Sequence, residues 1–116
     1  MHEGNVLELV VYKLNDGVSR DRFLATNGPV SSWLGSQHGF VSRELIYDAD
    51  GDRWVDLVWW ETPEQAHAAA ELAMSSESCR PMFAVIDAES MLMLHGTPAL
   101  ARVGRAAAAE RDQRMS

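Results

Sequence analysis

The segment Arg53 to Glu61, RWVDLVWWE, is apolar on both of its alternating sets of positions. Side chains of a strand point to opposite faces in turn, so a strand of this kind needs cover on both sides. Three other segments share the property: Asn5 to Leu14 (NVLELVVYKL), Phe40 to Asp48 (FVSRELIYD) and Glu89 to His95 (ESMLMLH). Sorted by alternation, one set holds Leu7, Leu9, Val11, Val41, Leu45, Tyr47, Val55, Leu57, Trp59, Leu92 and Leu94, with Lys13 and Arg43 as its main polar members. The other holds Val6, Glu8, Val10, Tyr12, Ser42, Glu44, Ile46, Trp54, Asp56, Val58, Trp60, Met91, Met93 and His95. Neither set is simply polar, whereas a sheet with water on one side shows a clean polar face.

Helix and turn signals separate these strands. Asn15-Asp16-Gly17 marks a turn, and Ser19 caps a helix carrying Phe23, Leu24, Val30, Trp33 and Leu34. Asn27-Gly28-Pro29 interrupts that helix, because a proline removes a donor and crowds the preceding turn. Asp48 to Asp52 reads as a hairpin loop, and Thr62-Pro63-Glu64-Gln65 as a helix start with a capping box. An Ala-rich helix follows to about Ser76, then a short helical piece within Cys79 to Asp87. The order is βαββαβ. With right-handed crossovers it predicts an α+β, ferredoxin-like domain: a four-stranded antiparallel sheet with both helices on one face. Those helices cannot cover the second face, so a homodimer through the sheet is expected.

The 116 residues suffice for one domain, placed at 1–96 and followed by an Ala- and Arg-rich tail at 97–116. The tail reads as a frayed helix or an extension. Up to residue 96 there are fifteen acids against six bases. This balance repels polyanions and argues against nucleic acid. No apolar run approaches the roughly 20 residues needed to cross a bilayer, so no membrane partner is expected. Met1-His2-Glu3-Gly4 lacks the basic and apolar regions of a signal peptide, and Cys79 is the single cysteine. A cytoplasmic location is the expectation.

The chain resembles the dimeric α+β-barrel superfamily, and within it the antibiotic biosynthesis monooxygenases. The resemblance rests on strand VLELVVYKL, on His38-Gly39-Phe40-Val41 opening the second strand, and on Val58-Trp59-Trp60-Glu61-Thr62 before the Ala-rich helix. It spans about residues 5–96. It implies two sheets closing a barrel in a dimer, and a pocket between sheet and helices. Among the activities of such proteins, the oxygenation of polyketide-like aromatics needs no metal or flavin. Haem degradation is disfavoured, because the positions matching its Asn, Trp and His are Val10, Ala73 and Phe83.

Within the mixed set, Asp56, Glu8 and His95 are the catalytic candidates; Tyr12, Glu44 and Trp60 are the substrate-binding candidates. A carboxylate among apolar neighbours has a raised pKa, which suits a general base acting on an acidic C–H or a phenol. Glu44 is expected to face Asp56 across the hairpin or to reach solvent. Asp56 and Glu8 equally suit structural ion pairs with Arg43, Arg20 or Arg22, and Tyr12 and Trp60 suit plain packing. His67 and Glu71 are four residues apart on the Ala-rich helix, as in a solvated pair. No histidine spacing forms a metal motif, and no glycine loop cradles a phosphate, so neither metal nor cofactor is expected. Two functions stay open: a cofactor-independent monooxygenase or isomerase on aromatic or polyketide-like substrates, and a non-catalytic ligand-binding or partner-assisting domain.

Overall fold

The computed structural model describes residues 5–105. The chain runs β1 (Val6–Leu14), α1 (Arg20–Ala25), α2 (Asn27–Gly35), β2 (Phe40–Asp48), β3 (Arg53–Trp60), α3 (Pro63–Ala73), α4 (Arg80–Val85) and β4 (Ile86–Gly96). All strands pair antiparallel in the order β2-β3-β1-β4. The architecture is the ferredoxin-like one. The expected break in the first helical region falls at Thr26, and Pro29 lies in the first turn of α2. There its missing N–H costs little, because the first four N–H groups of a helix have no partner within it. Ser19 and Thr62 cap as expected, each side chain accepting from the backbone N–H three residues on, Arg22 and Gln65.

Only half of the expected capping box forms. Gln65 Oε1 is buried without a partner, and the Gln65 side chain lies over Gly39. Gly39 has φ +83° and its carbonyl accepts from Glu61 N–H at 2.8 Å, which ties the start of β2 to the end of β3. A side chain at Gly39 would meet both the left-handed backbone and Gln65.

The helices cover the face bearing Val6, Tyr12, Trp54, Val58 and Trp60, all of them buried, against Phe23, Val30, Leu34, Ala66 and Ala69. Phe23 packs on Trp54 and Tyr12, with ring centroids 4.7 and 5.9 Å apart. The other face carries Leu7, Leu9, Val11, Val55, Leu57 and Trp59, with Ile46, Leu92 and Leu94 exposed. No helix of the described residues lies over it.

One strand departs from the sequence reading. Asp48 pairs with Arg53, Leu45 with Asp56 and Arg43 with Val58. Arg43, Leu45 and Tyr47 therefore face the helices, while Ser42, Glu44 and Ile46 face the other way. The hairpin loop sets this register, and a displacement of one residue turns every side chain over. A register shift between Phe40 and Ser42 returns Phe40 to the helix side, edge-on to Trp60 at 5.9 Å. β4 also starts earlier than expected, at Ile86, with a second irregularity opposite Val11 to Lys13. Residues 97–104 form neither helix nor strand, and Leu100 is almost fully exposed. The Ala106–Ala109 run, on which the tail helix was expected, lies outside the described residues.

Gly39→Ala is expected to lower stability by about 1–2 kcal/mol, the cost of a left-handed backbone for a residue with a Cβ. Urea denaturation of the two proteins measures it directly.

Candidate functional site

The Ala-rich helix and the large residues of the sheet together produce a cavity. Thr62 and Pro63 fix the phase of α3, so Ala66, Ala69 and Ala73 point at the sheet. Their small side chains leave space that the sheet does not fill. The cavity, about 260 Å³, lies between the covered face of β1, β3 and β4 and helices α2, α3 and α4. Its walls are apolar: Val10, Val58, Trp33, Leu34, Phe83, Met82, Met91 and Met93 among others. Polar atoms enter it at Glu8, Tyr12, Asp56 and Trp60.

Asp56 is held tightly. Arg43 Nε donates to Oδ1 at 2.9 Å and Nη2 to Oδ2 at 2.7 Å, a two-point pair with both side chains over nine-tenths buried. The same guanidinium donates to Asn27 Oδ1 at 2.7 Å and Ser31 Oγ at 3.1 Å, both on α2. Asn27 in turn donates to the Phe23 carbonyl. Burial alone would lower the Arg43 pKa, but the hydrogen bond and charge of Asp56 more than offset it, and the net shift is upward. The Tyr12 hydroxyl reaches Asp56 Oδ2 at 3.5 Å. Burial, then the Asp56 charge, push the Tyr12 pKa well up, so it stays a neutral phenol. Asp56 is thus the anchor of a network rather than a free base.

Glu8 is different. It is 7% exposed, and His95 Nε2 lies 3.2 Å from Oε2. The two come together because Glu8 and His95 are register partners on β1 and β4. Burial raises the Glu8 pKa. His95 and the Trp60 indole N–H oppose that rise, Asp56 adds to it, and the net shift is upward. Trp60 is fully buried, and its Nε1 meets no acceptor at hydrogen-bonding geometry. The cavity wall therefore offers one carboxylate of raised basicity and one unsatisfied donor. An unsatisfied buried donor is costly until something accepts from it.

Five of the six sequence candidates share this side of the sheet. Glu8, Asp56, Tyr12 and Trp60 line the cavity, and His95 stands behind Glu8. Glu44 does not join them: it pairs with Leu57 on the opposite face and is exposed, because the hairpin register puts Arg43 in its place. Arg43 was assigned to the wrong face by alternation alone. Counting back from the hairpin loop was the signal that could have found it. Cys79 borders the cavity as a thiol, its pKa raised by burial. Among the described residues, no group of three or more His, Cys, Asp or Glu is placed to hold a metal ion.

Solved structures with the same arrangement carry related names. SnoaB, a cofactor-independent oxygenase from Streptomyces nogalater, superposes with a TM-score of 0.67 at 13% identity, over 87% of this chain and 99% of that one. A candidate antibiotic biosynthesis monooxygenase from Bordetella bronchiseptica gives 0.68 at 17% identity, over 84% and 100%. The chain shares the fold of the antibiotic biosynthesis monooxygenases. A third neighbour with this fold, the monooxygenase from the ActVA-Orf6 gene of Streptomyces coelicolor, was solved with nanaomycin D bound. It gives 0.63 at 18% identity, over 89% of this chain and 94% of its own. No protein-family model matches the sequence, and neither does any curated protein.

Removing one partner of a buried ion pair leaves a bare charge, at a cost of about 3–5 kcal/mol. Asp56→Asn and Arg43→Met are each expected to destabilise by that order, and the double variant by clearly less than the sum. A double-mutant cycle in urea checks this; additive losses would mean that the pair is not energetically coupled.

Proposed function

We propose that the cavity binds a compact fused-ring aromatic or enolisable compound and that Glu8 is the general base that activates it toward dioxygen. The observation that carries the reading is Glu8 itself: a buried carboxylate of raised pKa, backed by His95, on the wall of an apolar cavity. A volume of about 260 Å³ lies near the lower end of ordinary ligand pockets, roughly 300–1,000 Å³, and suits a compact ligand. Trp33 and Phe83 supply flat walls. The Trp60 N–H supplies a donor for a ligand carbonyl oxygen, which would relieve its unsatisfied state.

The chemistry follows from these groups. Glu8 takes a proton from an activated CH2 beside the ring system, leaving a carbanion delocalised as an enolate. The Trp60 N–H stabilises the enolate oxygen. The enolate passes one electron to dioxygen, and the two radicals combine to a peroxide on carbon. That peroxide loses water to leave a carbonyl. One oxygen atom of dioxygen ends in the product and the other in water, and the substrate supplies both electron pairs. Fixed donors aimed at developing charge are an effective way to lower such a barrier. A cytoplasmic location fits the single cysteine kept as a thiol.

A second reading also has an observation in its favour. Asp56 is fully engaged by Arg43, so only one carboxylate is free to act, as in a domain that binds a ligand without transforming it. Anthrone, an enolisable three-ring ketone, separates the two. Under dioxygen the wild type is expected to convert it to anthraquinone and water, at a rate that rises with pH as Glu8 ionises, with the midpoint above the usual carboxylate value. Glu8→Gln removes the base and should lower turnover about 100-fold or more. Binding seen by thermal shift without turnover in the wild type favours the non-catalytic reading, and Glu8→Gln turning over normally removes Glu8 from the mechanism.

The uncovered sheet face is read as the contact between two copies. Leu7, Leu9, Val11, Leu57, Trp59, Leu92 and Leu94 lie on it with no helix above, a larger apolar patch than single soluble domains usually leave open. Sedimentation at micromolar concentration is expected to give a dimer, and Leu57→Lys a monomer. A wild-type monomer would remove the reading.

A further inference from the structure

We propose that His67 completes a proton path leading from Glu8 through His95 to solvent. The inference rests on Glu8 being the base. A carboxylate that has taken a proton from a ligand must release it before it can act again. The cavity walls around Glu8 are apolar, and Asp56 is occupied by Arg43, so His95 is the one titratable side chain hydrogen-bonded to Glu8 among the described residues. Beyond His95 lies His67, on the exposed side of α3, with ring centroids 4.5 Å apart and planes inclined by 48°. Exposure rises along the series: Glu8 is buried, His95 half-buried and His67 exposed. Three groups from β1, β4 and α3 thus span the distance from cavity to surface.

The transfers balance. The proton on protonated Glu8 passes to His95 Nε2, giving a carboxylate and an imidazolium. The imidazolium then gives up its other ring proton, from Nδ1, to water at the surface, which restores neutral His95 in the opposite tautomer. Rotation of the proton inventory between the two ring nitrogens through solvent completes the cycle. His67 acts as a positioning residue. Its ring packs on that of His95 and holds Nε2 toward Glu8. Its own charge, when protonated, opposes a charge on His95 and so hastens release. The groups facing His95 are Glu8 from β1 and His67 from α3, and Asp56 on β3 acts on Glu8.

The test is a histidine titration of the full-length protein followed by NMR of the imidazole nitrogens. The two rings are expected to titrate as a coupled pair in separate steps. His95→Phe should raise the His67 midpoint by about half a pH unit, a modest effect because the pair is partly exposed. Unmoved midpoints in His67→Phe and His95→Phe overturn the proposal. With anthrone at low buffer concentration, His67→Phe should lower kcat several-fold with KM unchanged, and added imidazole should restore it. An unchanged kcat, or a loss that imidazole does not repair, also overturns it. The titration needs no substrate. Coupled rings together with normal turnover by Glu8→Gln would remove Glu8 as the base, whereas uncoupled rings with inactive Glu8→Gln would remove only the path.

Discussion

The buried pair between Arg43 and Asp56 joins three elements at one point. Asp56 belongs to β3 and Arg43 to β2, and the same guanidinium reaches Asn27 and Ser31 on α2. A buried charge without its partner is too costly to persist, so the helix, the hairpin and the central strand are held in one relation. That relation sets one end of the cavity. It also settles the electrostatics there, because a carboxylate saturated by a two-point guanidinium has little left to offer a ligand. Ion pairing makes Asp56 an anchor and leaves Glu8 as the reactive carboxylate.

The second half of the site depends on small residues. The alanines of α3 bring the helix close to the sheet without filling the space beneath it. What lines the space is flat or flexible: two aromatic walls and several methionines, whose unbranched chains adapt to an irregular guest. Into this apolar setting β1 brings Glu8, and the neighbouring β4 brings His95 into register with it. Desolvation raises the basicity of the one while the other limits the cost of burying its charge. The Trp60 donor and the His67 ring extend the site inward and outward from the same carboxylate.

Much of the fold was legible in local chemistry. Ser19, Thr62 with Pro63, and the Asp48 to Asp52 loop announce helix starts and a hairpin through interactions that span three or four residues. The alternation of β1, β3 and β4 correctly grouped Glu8, Tyr12, Asp56, Trp60 and His95. β2 failed because alternation says which residues go together but not which face they take. Arg43 and Glu44 are neighbours in the chain, and only the pairing of Leu45 with Asp56 decides that arginine, not glutamate, turns inward. Nothing in the spacing of His67 and His95 indicates that their rings meet, since the contact depends on how α3 lies against the edge strand.

By itself, the sequence determined the element order, the apolar character of both sheet faces and the presence of acids within apolar strands. These follow from turn, cap and alternation preferences that act over a few residues. Tertiary structure alone decided which acid is neutralised and which stays reactive. That choice turns on register across a hairpin and on a contact between residues 8 and 95. Neither is a local property, because a shift of one residue in strand pairing reverses every face without altering any local preference.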